Sequence, residues 1–130
     1  MTEKAPGSIL ITPDGDVREI DFPESTRGQM DLMYDLLNTR EFDCVQVSSA
    51  INMWIDGEFL YNEAADPNAF ATLFLKQFGS VTQVICGPVL LTGGADEAGN
   101  TLPLTPDATK AVLTRLEDDV QRLLREKPDA

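Results

Sequence analysis

Met53-Trp54-Ile55-Asp56-Gly57-Glu58-Phe59, then Asn62, then Asp66-Pro67-Asn68-Ala69-Phe70-Ala71-Thr72, then Ile85-Cys86-Gly87-Pro88-Val89-Leu90-Leu91, is the stretch whose reading decides the fold. It reads as a strand, a tight Asp-Gly turn, a returning strand, a capped helix and a closing strand. Asp-Gly between apolar runs signals a hairpin because glycine tolerates the positive φ of the turn. Asp66-Pro67 is a compact helix opening, with Asp as cap and Pro at the first helical position, where its missing N–H costs nothing. Phe70, Leu73, Phe74 and Phe78 form the stripe such a helix buries, and Gly79 suits a left-handed C-terminal position.

Upstream, from Phe42, the residues alternate with period two. Val45, Val47, Ile51, Met53 and Ile55 share one parity, interrupted by Ser49. The other parity holds Cys44, Gln46, Ser48, Ala50, Asn52, Trp54 and Asp56, which predicts a half-buried strand with a polar outer face, bent or bulged near Ser48-Ser49. Glu58 to Asn62 is its expected return. Further back, Ser8–Thr12 and Val17–Phe22 flank Pro13-Asp14-Gly15-Asp16, a first hairpin. Thr26 and Gln29 have capping-box spacing, and the predicted helix runs to about Leu37 with Met30, Met33, Tyr34 and Leu37 on one face.

Downstream, Val81–Thr92 contains a strongly apolar strand interrupted at Gly87-Pro88. Gly93–Pro103 is a loop rich in glycine and acids. Thr105-Pro106 opens a last helix with the stripe Val112, Leu113, Leu116, Val120, Leu123 and Leu124, and with Asp118 four residues before Arg122 on its wet face. The reading is a single α+β domain over residues 8–126, with tails at 1–7 and 127–130. Its order is ββαββαβα, a mixed, mostly antiparallel sheet with about three helices.

A chain of 130 residues is long enough to bury a core, and 42% apolar residues is ordinary for a globular protein. No apolar run approaches the roughly 18 residues of a membrane span. The start, Met-Thr-Glu-Lys-Ala-Pro-Gly-Ser, lacks the apolar core of a signal peptide, so a cytoplasmic location is expected. Cys44 and Cys86 lie in apolar runs and read as buried, reduced thiols.

Charge is the unusual quantity, with 10 basic against 22 acidic residues and a net charge of −12. Between Glu41 and Thr109 the acids are Glu41, Asp43, Asp56, Glu58, Glu63, Asp66, Asp96, Glu97 and Asp107, and the only base is Lys76. Such a field repels nucleic acid and anionic membranes and favours basic partners; acidity also serves solubility alone.

Histidine is absent, which removes the commonest general base and imidazole metal sites. Thr92-Gly93-Gly94-Ala95 lacks the trailing Gly-Lys-Ser/Thr of a phosphate-binding loop. Asp14/Asp16 and Asp96/Glu97 are pairs able to hold a divalent cation through oxygen, though Asp-Gly-Asp is first of all turn chemistry. Cys86 has no neighbouring base in sequence to activate it. Trp54, pointing with Asn52 and Asp56 to the polar face and near Tyr61 across the hairpin, has the composition of a binding hot spot. A bend that flips the parity, or a covering C-terminal helix, instead makes Trp54 core.

The first hairpin, the Met-Trp-Ile-Asp-Gly turn, the Asn68-Ala69-Phe70-Ala71-Thr72 helix opening and the Ile-x-Gly-x-Val-Leu closing strand together resemble the domain-of-unknown-function family 3846, over roughly Ile9–Leu104. The helix after Thr105 lies beyond that shared core. The resemblance implies an actinobacterial, phage or plasmid setting and no known substrate.

The expected function is a non-enzymatic acidic binding domain without cofactor or metal. Trp54, Asp56, Glu58, Tyr61, Glu63, Asp96 and Glu97 would meet a basic protein partner, in one form as a DNA mimic, and the last helix is a candidate homodimer seam. Two alternatives stand beside it: a small-ligand pocket near Trp54 and Tyr61, and a metal-dependent enzyme using the paired carboxylates.

Overall fold

In a computed structural model of the chain the described residues are 6–58, 66–77 and 84–126, the side chains of 120 and 123–126 excepted. The elements are β1 (Gly7–Ile11), β2 (Val17–Asp21), α1 (Thr26–Leu37), β3 (Phe42–Ser48), β4 (Ile51–Asp56), α2 (Ala69–Lys76), β5 (Val89–Thr92) and α3 (Pro106–Glu126). The strands form one sheet in the order β2-β1-β5-β4-β3, with every pairing antiparallel. The expected element order is therefore present.

Composition decides position in the sheet. β1 (GSILI) and β5 (VLLT) are buried along their whole length, as strands covered on both faces must be. β2 (VREID) and β3 (FDCVQVS) carry charged or polar exposed residues and lie at the two edges. Successive side chains point to opposite faces. Ile9, Ile11, Met53, Ile55, Val89 and Leu91 accordingly pack with Ala71, Phe74 and Leu75 of α2 and Val112 and Leu116 of α3. Leu10 and Leu90 pack on the other face with Met33 and Leu37 of α1. α1 thus covers the face expected to be polar, and the sheet is sandwiched between helices.

A hairpin precedes Asp56-Gly57. The run read as a single strand from Phe42 to Asp56 is two strands, β3 and β4, turning at Ser49-Ala50. Next to the turn, Ser48 pairs with Ile51, residues of opposite parity; beyond a register shift between Gln46 and Ser48, Val45 pairs with Met53 and Cys44 with Trp54, residues of equal parity. The one-residue bulge cancels the parity change of a two-residue turn. Odd-numbered apolar residues therefore stay on one face through the reversal. Neither Ser49 nor Ala50 has positive φ, so no glycine or asparagine marks the turn; Ser48 Oγ instead accepts from the Ala50 N–H at 3.2 Å. The expected return strand, Glu58–Asn62, falls almost wholly outside the described residues.

Two caps lie next to the expected positions. Ser25, not Thr26, caps α1, accepting from the Gly28 N–H at 3.0 Å, while Gln29 reaches back to donate to the Pro23 carbonyl at 2.9 Å. Asn68, not Asp66, caps α2, and Pro67 forms an isolated bridge with Cys86. Asn68 is fully buried and central to the fold: its Oδ1 accepts from the Ala71 N–H at 3.1 Å, and its Nδ2 donates to the carbonyls of Ile11 at 3.0 Å and Gly87 at 2.9 Å. One side chain thereby ties α2 to β1 and to the approach to β5. Thr105 caps α3 as expected, accepting from the Ala108 N–H at 3.1 Å.

Pro6 and Gly7, read as tail, join the fold, Pro6 accepting from the Phe22 N–H at 2.7 Å and Gly7 from the Leu104 N–H at 2.8 Å. Gly93-Gly94 is a packing requirement. A Cβ on Gly94 would lie 2.4 Å from the Ser49 carbonyl oxygen, and one on Gly93 2.4 Å from that of Pro103. No helix among the described residues is long and apolar enough to cross a membrane.

Candidate functional site

Trp54 follows from its strand. Its neighbours Met53 and Ile55 face α2 and α3, so the indole projects to the α1 side, half-buried against the cluster that Leu10, Phe22, Met33, Leu37 and Leu90 form. Its Nε1–H donates to Thr92 Oγ1 at 2.9 Å, and Phe42 meets it edge-on at 5.5 Å between ring centroids. Phe42 in turn contacts Tyr34 of α1 at 4.9 Å. Trp54 is therefore the inner end of an aromatic series and is only partly exposed. Its outer end is exposed: Tyr34 is 38% and Met30, one helical turn earlier, 40% accessible. The helix face expected to bury Met30, Met33, Tyr34 and Leu37 together buries only Met33 and Leu37.

The carboxylates divide into two groups. Phe42 pairs with Asp56, and the Gly57 N–H donates to the Glu41 carbonyl at 2.8 Å. Those rungs gather Glu41, Asp43, Asp56 and Glu58 at the corner where β3 begins and β4 ends. Asp56 Oδ1 accepts from Thr39 Oγ1 at 2.6 Å and from the Glu58 N–H at 2.9 Å, so this carboxylate also closes the corner. Glu41, Asp43 and Glu58 are exposed, and none of the four has an ion-pair partner among the described residues. The base next to this corner in sequence is Arg40.

Asp96 and Glu97 lie elsewhere. Asn52 pairs with Thr92, so the loop after β5 leaves at the opposite end of β4, about 13 Å of strand away. Asp96 is a loop-closing residue, its carboxylate accepting from the N–H groups of Asn100 at 2.8 Å and Ala98 at 2.9 Å. The Asn100 N–H is the first of the bonds that hold its pKa below the usual carboxylate value. Glu97 is exposed. Tyr61 and Glu63 lie outside the described residues. Of the sequence-derived set, the structure brings Asp56 and Glu58 together, sets Asp96 and Glu97 apart, and packs Trp54 inward.

The other pair, Asp14 and Asp16, serves the first hairpin. Asp14 accepts from Thr12 Oγ1, the chief cause of its lowered pKa, and Asp16 pairs with Arg18 at 2.5 Å. Gly15 there has φ +89°, as the Asp-Gly signal requires. No group of three or more metal-ligating side chains occurs among the described residues. Cys44 is exposed on β3 rather than buried, and Cys86 is half-buried; both are free thiols. Desolvation, with the Asp43 charge adding to it, pushes the Cys44 thiol up and keeps it protonated.

Two surface concavities lined by described residues lie away from Trp54. One of about 570 Å³ separates the start of α1 from the loop after β5, lined by Phe22, Ser25, Gln29, Asp96 and Leu102 among others. Another, of about 490 Å³, follows α3 past Lys110, Arg115 and Arg122. There the Gln77 amide donates to buried Asp119 at 2.8 Å and accepts from Arg115.

Sequence reasoning overlooked Tyr34 and Phe42, and with them the acids at the start of β3 as part of one corner. No local spacing links these residues; the signal is the rung between β3 and β4.

A family model described as Domain of unknown function (DUF3846) matches residues 6–117, and the chain belongs to that family. The match reaches into α3, so that helix is partly inside the shared domain. No curated protein and no solved structure matches the chain.

Proposed function

From membership of a family whose function is unknown, we propose that this chain is a non-enzymatic binding domain whose acidic corner meets a basic protein partner. The observation that carries it is that Glu41, Asp43, Asp56 and Glu58 all fall at the corner where β3 begins and β4 ends, without ion pairs among the described residues, with Asp56 on the face of Phe42 and the exposed Tyr34, and Asp43 on the opposite face. Like charges held together raise the local field, and a basic partner relieves their repulsion on contact. Tyr34 and Met30 supply the desolvated contact that charge alone lacks. Asp14, Asp16 and Asp96 are engaged within their own loops, which leaves those three less free for recognition. A narrower form of this reading is DNA mimicry, in which the carboxylates occupy a phosphate-binding cleft. It fits the phage or plasmid setting implied by the family resemblance and an acidic protein acting in the cytoplasm.

The test is capture of proteins from a bacterial lysate on the immobilised chain at low and high salt. The parallel column carries the variant with Glu41→Gln, Asp43→Asn and Glu58→Gln. A salt-released basic protein retained by the parent and lost by the variant supports the proposal, and competition by duplex DNA singles out mimicry. Capture equal on both columns, or none by the folded parent at low salt, overturns it.

A further inference from the structure

The backbone of β3 has a property the side chains do not reveal. In an antiparallel ladder hydrogen bonds join directly opposed residues at every second rung. The Gly57 N–H donates to Glu41 O, so Glu41–Gly57 is a bonded rung, and Asp43–Ile55 and Val45–Met53 follow it before the bulge. The N–H and C=O groups of Phe42, Cys44 and Gln46 therefore point away from β4. β3 is the last strand of the sheet, and no backbone or side-chain hydrogen bond to these groups occurs among the described residues. This edge, open among the described residues, is about 14 Å long and ends where the bulge turns Val47 out of register.

Resting on the basic-partner reading, we infer that this edge takes up an extended, basic segment of the partner as a sixth strand beside β3. Its two faces set the pattern of that segment. On one face lie Phe42, which contacts the exposed Tyr34, and the exposed Cys44, and they call for apolar residues. On the other, Asp43 is exposed between Glu41 and Val45 and calls for lysine or arginine directly across from it. The predicted ligand therefore alternates basic and apolar residues with period two. Main-chain bonds supply affinity, and the alternating side chains supply selectivity. A second copy of this chain is the poorer occupant, because pairing β3 with itself brings two sets of Glu41 and Asp43 onto one short edge, in chains of net charge −12.

The experiment is amide NMR on the labelled full chain with three capped seven-residue probes. These are a peptide alternating lysine and valine, the same peptide N-methylated at every second residue, and one alternating glutamate and valine. The inference expects the first to bind and to slow exchange of the Phe42, Cys44 and Gln46 amides more than those of Asp43 and Val45. It expects N-methylation to weaken binding by about ten-fold or more, since it removes main-chain donors and leaves charge unchanged. It expects the glutamate peptide not to bind. Equal affinity for the first two probes, or protection centred elsewhere, overturns strand addition while leaving the basic-partner reading intact. Equal binding of the lysine and glutamate peptides overturns both. Protection of the three amides in the free chain, or its dimerisation through β3, also overturns the inference.

Discussion

Replacing Asn68 by aspartate changes one atom type at the most connected polar side chain of the fold. The acceptor for the Ala71 N–H survives, but the group that donates to Ile11 O at 3.0 Å and Gly87 O at 2.9 Å becomes an oxygen. Protonated, the new side chain still donates to one of the two carbonyls, so the loss is about one hydrogen bond, roughly 1–2 kcal/mol. Ionised, it faces two carbonyl oxygens at a fully buried position, and both desolvation and those dipoles oppose the charge. Its folded pKa is therefore raised above the unfolded value of about 3.9. The folded state then holds a proton that the unfolded chain has released. The variant's deficit relative to the parent is least below pH about 3.9 and grows by about 1.4 kcal/mol per pH unit until the folded pKa is passed. A total deficit of about 4 kcal/mol near pH 7 is expected, a large part of a typical stability of about 5–15 kcal/mol. Urea melts of both proteins at several pH values between 4 and 7 give the difference directly. A deficit independent of pH, or below about 1 kcal/mol at pH 7, refutes the role assigned to Asn68.

Trp54→Phe removes the bond to Thr92 and costs about 1–2 kcal/mol in denaturant melts, whereas a free surface hot spot would lose partner binding with stability unchanged. Gly94→Ala drives a Cβ against the Ser49 carbonyl oxygen and lowers stability by about 1–3 kcal/mol, measured as a fall in Tm of several degrees. The lowered pKa of Asp96 means its contribution is complete above the unfolded pKa and is lost as pH falls through the folded one. Asp96→Asn is therefore expected to narrow its Tm gap to the parent between pH 7 and pH 2; a gap unchanged with pH would contradict this.

Local chemistry was readable wherever it is written in adjacent residues. Asp14-Gly15 marks the first hairpin because only a few residues take positive φ cheaply, and Thr105-Pro106 opens α3 because Pro has no N–H to waste there. A strongly apolar run marked β5 as a strand and the Asp14-Gly15 turn joined β1 to β2, but that β1 and β5 pair with each other and are covered on both faces was not readable. Ser25 and Asn68 displaced the expected caps by one or two residues, since the competing candidates beside them have the same side-chain chemistry. Period two identified β3 and β4 as sheet but concealed the turn between them, because a bulge restored the parity that the turn would have broken. The candidate site was less legible. Asp56 and Glu58 were visible as acids, while their union with Glu41 and Asp43 depends on a strand pairing. Trp54 read as exposed because its strand neighbours Asn52 and Asp56 are polar; α1, distant in sequence, covers it. Sequence by itself determined the kinds of element, their order and the sign of the surface field, since these depend on each residue and its near neighbours. Tertiary structure alone decided which carboxylates meet, which aromatic rings are covered and which backbone groups remain open, because each depends on contacts between segments far apart in the chain.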